Sequence, residues 1–176
     1  EATKGAMSVV NSVGILFERG RQNFEEIHVE GAKRIAAAAK APGVDRVIHI
    51  SAIGAQQGSP AKYARSKAAG EVAARAMFPG TTILRPSVVF GPEDDFFNRF
   101  AGLARILPVM PLLQGSTKFQ PIYVSDLAKA VVAALNRPSS SGETYELGGP
   151  EVYRFREIME LVFEPVSYTH LRAHET

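Results

Sequence analysis

Arg46-Val47-Ile48-His49-Ile50-Ser51 opens as an apolar strand, and after a loop the chain reaches Tyr63-Ala64-Arg65-Ser66-Lys67. Residues four apart on a helix share one face, so the phenol at 63 and the ammonium at 67 point the same way. A cation beside a phenol favours phenolate and lowers its pKa, which makes an inert side chain into a usable acid and base. Ser51, at the carboxyl end of the strand, can reach the same point and hydrogen-bond a substrate oxygen. Together these groups suit hydride exchange between a nicotinamide and a carbonyl or alcohol. Tyr-x-x-x-Lys alone also fits a half-buried tyrosine beside a solvated lysine. The neighbouring strand and loop favour the chemical reading, as does Ser59-Pro60, which predicts a helix start with Ser59 as N-cap and Pro60 in the first helical position.

Outward from this stretch the pattern repeats. Upstream, Ser8-Val9-Val10-Asn11 reads as a buried strand entering a loop. Residues 24–40 place Phe24, Ile27, Gly31, Ile35 and Ala39 at the spacing of one helix face, and Pro42-Gly43 stops the helix. Residues 60–77 predict a helix, ended by Pro79-Gly80, and Thr81-Thr82-Ile83-Leu84 a third strand. Residues 86–120 turn rich in Pro, Phe and Gly, with a helix expected over 97–107. A short strand over 121–124, a helix over 126–135 capped by Ser125, a strand over 144–147 and a helix over about 156–162 follow. Strand, helix, strand, helix, strand is the pattern of a parallel sheet covered on both faces. Ligands of such sheets bind outside the carboxyl ends of the strands, where Asn11, Gly14, Ser51, Pro86 and Ser87 fall. The fold class expected is α/β, a partial Rossmann-type doubly wound parallel sheet, its first strands missing, with a small C-terminal substrate-side region.

The composition sets bounds. The chain of 176 residues is 45% hydrophobic and 22% charged, which is globular rather than disordered. A net charge of +2 gives no footing for nucleic-acid binding. With no cysteine, disulfides and thiolate metal sites are excluded. No apolar run approaches the ~20 residues that span a bilayer.

A Gly-x-Gly-x-x-Gly turn between strand and helix is the usual mark of a dinucleotide fold, and the chain has none. Either no dinucleotide binds, or the phosphate turn precedes Glu1 in a longer protein. The opening Glu1-Ala2-Thr3-Lys4-Gly5-Ala6 reads as the end of an element and favours the second. On that reading the first strands are missing, the Val9-Val10 strand has an unpaired apolar edge that favours aggregation, and the chain alone binds dinucleotide weakly or not at all.

Six further segments carry a resemblance. They are Val9 to Leu16, His28-Val29-Glu30-Gly31, Tyr63 to Glu71, Leu84 to Asp94, Gln120 to Asp126, and Tyr145-Glu146-Leu147-Gly148-Gly149-Pro150. In this order they resemble the short-chain dehydrogenase/reductase superfamily, in its extended or atypical branch. More narrowly they resemble the family of the nucleotide-binding accessory subunit of respiratory complex I, alpha-subcomplex subunit nine, and its bacterial relatives. The resemblance covers roughly residues 5–162.

The resemblance implies NAD or NADP as cofactor, with the residue choosing between them outside these residues. Asn11, Ser12 and Gly14 would lie near the cofactor's ribose and adenine side. Ser51 would orient a substrate or nicotinamide-side oxygen, Tyr63 would be the acid and base, and Lys67 would bond the nicotinamide ribose and depress the tyrosine pKa. Pro86, Ser87 and Val88 would pass the nicotinamide amide with their backbone, and Asp126 would be structural. Residues 1–164 would form the rear of the nucleotide-binding domain, with substrate-side insertions at about 87–120 and 136–164. Respiratory complex I subunits are the implied protein partners. The implied location is the matrix side in a mitochondrion, and the cytoplasm or inner-membrane periphery in a bacterium. Two functions stay open: a nucleotide-holding structural subunit, and an independent oxidoreductase, epimerase or dehydratase using Ser51, Tyr63 and Lys67.

Some features depart from the pattern. Extended members usually carry Asn where His28 stands, and Ala52-Ile53-Gly54 follows Ser51 where a longer loop with a second serine is usual. Residues 165–176 resemble a translated adapter and are set apart as a non-native tail. His170 and His174 within it have helical metal-pair spacing but no acidic partner between them, so no metal is expected. His28 and His49 read as packed or hydrogen-bonded residues at the core edge, and Arg19-Gly20-Arg21 as an exposed loop. Glu93-Asp94-Asp95 reads as a solvated loop or as partners of Arg99, and Phe96, Phe97, Phe100, Leu103 and Ile106 as packing of the substrate-side lobe.

Overall fold

A computed structural model describes residue 3 and residues 5–92, 117–158 and 160. The expectations for 93–116 and for the tail lie outside the described residues. The chain divides into two compact units, Glu1–Pro86 with Ser125–Leu147, and Ser87–Val124 with Gly148–Thr176.

The first unit is built on four parallel strands: β1 (Ser8–Asn11), β2 (Arg46–Ile50), β3 (Thr82–Pro86) and the strand Thr144–Leu147, in that spatial order. The register pairs Asn11 with His49, Ile50 with Leu84 and Pro86 with Leu147, so the carboxyl ends of all four strands meet along one rim. Among the described residues β1 and the strand Thr144–Leu147 are the two edges of this sheet, and Val10 is exposed on β1.

Three helices cover this sheet. Residues Glu25–Glu30 wind as a π-helix and lead directly into α1 (Gly31–Ala38). α2 is Lys62–Met77 and α3 is Val124–Asn136. Side chains alternate along a strand, and the sheet uses both faces. Val47 packs with Val9, Ala39, Val44 and Phe78 on the α1 side. Ile48 and Leu84 pack with Val131, Ala134 and Leu135 of α3 on the other. Burying Ile48 or Leu84 stabilises the fold by about 1.5–3 kcal/mol each. By the same alternation Asn11, His49, Ser51 and Arg85 continue the α1 and α2 face toward the carboxyl rim, so that face turns from apolar to polar where the strands end.

The local structure corrects three expectations. The buried row of the first helix is Phe24, His28, Ala32, Ala36 and Ala39, one residue on from the anticipated Ile27, Gly31 and Ile35. The π-turn takes an extra residue per hydrogen-bonded loop, and this places His28 inside. α2 begins at Lys62 with extended Ala61 as its N-cap and no side-chain cap. Ser59 instead accepts the Ala61 N–H at 3.2 Å in a local turn. α3 begins at Val124, so Ser125 lies in the first turn, near Asp126, which pairs with Lys129 at 2.9 Å.

Two short ladders shape the second unit. β4 (Val89–Phe90) runs parallel to β6 (Ile122–Tyr123), and β5 (Lys118–Phe119) runs antiparallel to β8 (Tyr153–Arg154). The strand Thr144–Leu147, now β7, lies within the stretch read from sequence as the second insertion, and it is hydrogen-bonded to β3 in the main sheet.

Candidate functional site

At the carboxyl rim of the first unit the loop after β1, the π-helix, β2 and α2 converge. Tyr63, Ser66, Lys67, Gly70 and Glu71 fall at positions i, i+3, i+4, i+7 and i+8 of α2, a single stripe. Every one of them is in contact with a group named below or packs against one.

Lys67 is buried, and its Nζ donates to the carbonyl of Ile50 at 2.9 Å. Burial lowers its ammonium to about 8, with the Glu71 carboxylate pulling it back up. Gly14 lies alongside: a Cβ built there would stand 3.6 Å from His28 Nε2 and 3.7 Å from Lys67 Nζ. Exposed Gly14 therefore shares a locality with the amine. Asn11 is buried instead. Its Oδ1 accepts the Val13 N–H at 3.1 Å and its Nδ2 donates to His49 Nδ1 at 3.0 Å. Asn11 thus shapes the loop.

Tyr63 packs edge-on against Phe24 and His28, with centroids 5.8 and 5.6 Å apart. Its hydroxyl makes no hydrogen bond among the described residues. The expected lowering of its pKa is overturned: burial raises the phenol above its ordinary value. The lysine's bond goes to Ile50, and desolvation disfavours a phenolate.

Ser51 is buried, and its hydroxyl donates to Glu71 Oε1 at 2.5 Å. Arg85 closes on the same carboxylate with two parallel bonds, Nε to Oε1 at 2.9 Å and Nη2 to Oε2 at 2.7 Å. Glu146 on β7 lies 3.5 Å from Arg85 Nη1. The hydroxyl proton of Ser51 is thus already given to a protein carboxylate. Pro86 ends β3 and accepts the Ile53 N–H at 3.0 Å. Ser87 and Val88 continue the chain into the second unit, where the Val88 carbonyl accepts the Ile122 N–H at 2.9 Å.

Sequence reasoning missed the partners that organise these groups. Ser66, Gly70 and Glu71 could have been found by extending the Tyr63 stripe by two turns. Arg85 could have been found as a charge inside an otherwise buried strand, since such a charge requires a partner. Among the described residues no group of three or more metal-ligating side chains could hold an ion, and no helix is long and apolar enough to cross a membrane.

The two buried histidines make a pH prediction. Burial, aided by the Lys67 charge, lowers both His28 and His49 from 6.5 to about 4. The unfolded chain then binds protons before the folded one does. The stability they contribute is fully present above about pH 6.5 and is lost as pH falls toward 4, at up to about 1.4 kcal/mol per pH unit for each. Above about pH 8 thermal unfolding midpoints should rise, because folded Lys67 loses its proton before the unfolded chain does, and below about pH 6.5 they should fall steadily toward pH 4. A midpoint that stays level across that window would contradict the assignment.

Residues 16–148 match the NAD dependent epimerase/dehydratase family. The chain is 39% identical over 161 residues to NADH dehydrogenase [ubiquinone] 1 alpha subcomplex subunit 9 of Arabidopsis thaliana, over 90% of this chain and 40% of that protein. It is 36% identical over 135 residues to the ceramide reductase of Caulobacter vibrioides, over 77% of this chain and 42% of that protein. UDP-glucuronic acid 4-epimerase from Bacillus cereus, solved with UDP-glucuronic acid and NAD, superposes with a TM-score of 0.75 at 22% identity, over 95% of this chain and 61% of that one. The last is a likeness of fold. This chain spans 40–44% of the length of the mitochondrial subunits it matches.

Proposed function

We propose a function from one premise: this chain belongs to the NAD dependent epimerase/dehydratase family. It is part of a protein that holds NAD or NADP without turning it over, in the manner of an accessory subunit of respiratory NADH:quinone oxidoreductase. The observation that carries this reading is the hydroxyl of Ser51, whose proton goes to buried Glu71. A Ser-Tyr-Lys site uses the serine hydroxyl beside the phenol to polarise the reacting carbonyl, and here the serine is committed to Glu71, which leaves the phenol to act without it. The raised phenol pKa points the same way, because an acid and base works best near the operating pH.

The residues fit a dinucleotide by their donors. Among the described residues one of the three N–H groups of Lys67 is engaged, and with the Tyr63 hydroxyl and the exposed Ser12 to Gly14 loop the others would hold ribose oxygens. A bound dinucleotide would supply hydride-transfer capacity, and this chain's residues would orient it and exclude water. Partners would be complex I subunits. The location would be the matrix side in mitochondria, or the cytoplasm and inner-membrane periphery in a bacterium.

Titration of the chain with NADH and with NADPH should give weak, saturable binding, since no Gly-rich phosphate turn is among these 176 residues. No dinucleotide should be oxidised when carbonyl substrates are offered, and Tyr63→Phe should lower the affinity by about two- to tenfold, the loss of one hydrogen bond to the ribose. Absence of any binding would overturn the reading. The second reading, an independent oxidoreductase or epimerase, is favoured by the Tyr63 and Lys67 pair on one stripe of α2 and by a relative named as a reductase. Measurable turnover abolished by Tyr63→Phe would establish it in place of the first.

A further inference from the structure

We propose that His28 is a positioning residue whose imidazole ties the loop after β1 to the helix carrying Tyr63 and Lys67. Its consequence for binding rests on the dinucleotide-holding reading above.

The hydrogen bonds have a fixed direction. The Ile15 backbone N–H can only donate, and it points at His28 Nε2 from 3.1 Å. Nε2 must therefore hold its lone pair, and the proton of the neutral ring sits on Nδ1. Nδ1 lies 2.8 Å from Ser66 Oγ. Ser66 in turn gives its own hydrogen to the Tyr63 carbonyl at 2.7 Å. The chain therefore runs one way, from Ile15 N–H to His28, from His28 to Ser66, and from Ser66 to the backbone of Tyr63. The other tautomer would set N–H against N–H at Ile15, and an imidazolium would do the same.

Packing closes the arrangement. The imidazole is 2% exposed. It stacks on Phe24 at 5.1 Å with the planes 19° apart, and Tyr63 meets it edge-on. The ring thus forms a wall for the phenol while its two nitrogens hold the loop and the helix. α2 comes close enough for this because Gly70, one turn after Ser66, lies against the His28 backbone carbonyl. The π-winding of residues 25–30 turns the ring inward.

Two measurements test this. Long-range nitrogen–proton correlation spectra of the unmodified chain at neutral pH should show His28 protonated at Nδ1 and bare at Nε2, and the Ile15 amide should be protected from exchange. His28→Phe keeps the stacked ring and removes both hydrogen bonds. Ile15 exchange should then rise at least about tenfold, and NADH or NADPH affinity should fall about tenfold. His28→Gln, which retains an acceptor and a donor, should recover part of both. A proton on Nε2, or a charged ring at neutral pH, overturns the proposal. So does His28→Phe with unchanged Ile15 exchange, or with faster exchange but unchanged affinity. If the unmodified chain takes up neither nucleotide, the dinucleotide reading fails, and the tautomer and Ile15 exchange still decide the clamp.

Discussion

Glu71→Ala is expected to destabilise the first unit by about 3 kcal/mol, the lower end of the range for breaking a buried ion pair. The carboxylate is 8% exposed and takes one bond from Ser51 and two from Arg85. Removing it leaves a buried hydroxyl without an acceptor and an arginine without its bidentate partner. The cost stays at the lower end because Arg85 is 24% exposed and keeps Glu146 nearby. In a chain of this size the thermal midpoint should drop by roughly 6–12 °C. Glu71→Gln preserves the volume and an acceptor for Ser51 and should lose about half as much. Combining Ser51→Ala with Glu71→Ala should give non-additive losses, with a coupling above about 0.5 kcal/mol. A loss under about 1 kcal/mol for Glu71→Ala, or strict additivity with Ser51→Ala, would mean that the serine is free in solution, and the non-catalytic reading would lose its main support.

Gly70→Ala should be the second large effect. A Cβ at this position would stand 2.2 Å from the His28 carbonyl oxygen and 3.1 Å from its carbon. Both obstacles are backbone, so neither can rotate away, and α2 must shift outward. Overpacking of this kind costs up to about 3 kcal/mol. Alanine recovers about 1 kcal/mol through its better helix propensity. The net loss should be about 2 kcal/mol, measured by denaturant unfolding. Hydrogen exchange at Ile15 should rise with it, because the displaced helix carries Ser66 away from His28. Gly58→Ala, where a Cβ meets nothing within 4 Å, is the control and should change stability by less than about 0.5 kcal/mol. If the two substitutions behave alike, α2 and the π-helix do not cross at Gly70 as described.

These two neighbours show what could be read in advance. Val9, Val47, Ile48 and Leu84 lie in short apolar runs separated by helix-length stretches, and that periodicity is enough to call for a parallel sheet covered on both faces. The Tyr63 and Lys67 pair was legible for the same reason, because helical spacing depends only on neighbours in the chain. The acceptors of Ser51 and Lys67 were not legible. Ser51 meets a residue 20 positions away and Arg85 one 14 positions away, and no local pattern ranks one buried acceptor above another. The π-turn that buries His28 was equally hidden, since its sequence also fits an ordinary helix with the face one residue earlier.

By itself, the order of residues determined the strand and helix succession, the rim where the strands' carboxyl ends meet, and the Tyr63 and Lys67 face of α2, because each follows from periodicity and turn chemistry along the chain. The tertiary structure alone decided the protonation chemistry at that rim. Burial raises the Tyr63 phenol and lowers Lys67 and both histidines, and the hydroxyl of Ser51 goes to Glu71. Desolvation and hydrogen-bond direction depend on which surfaces come together in space, and adjacency in sequence does not contain that information.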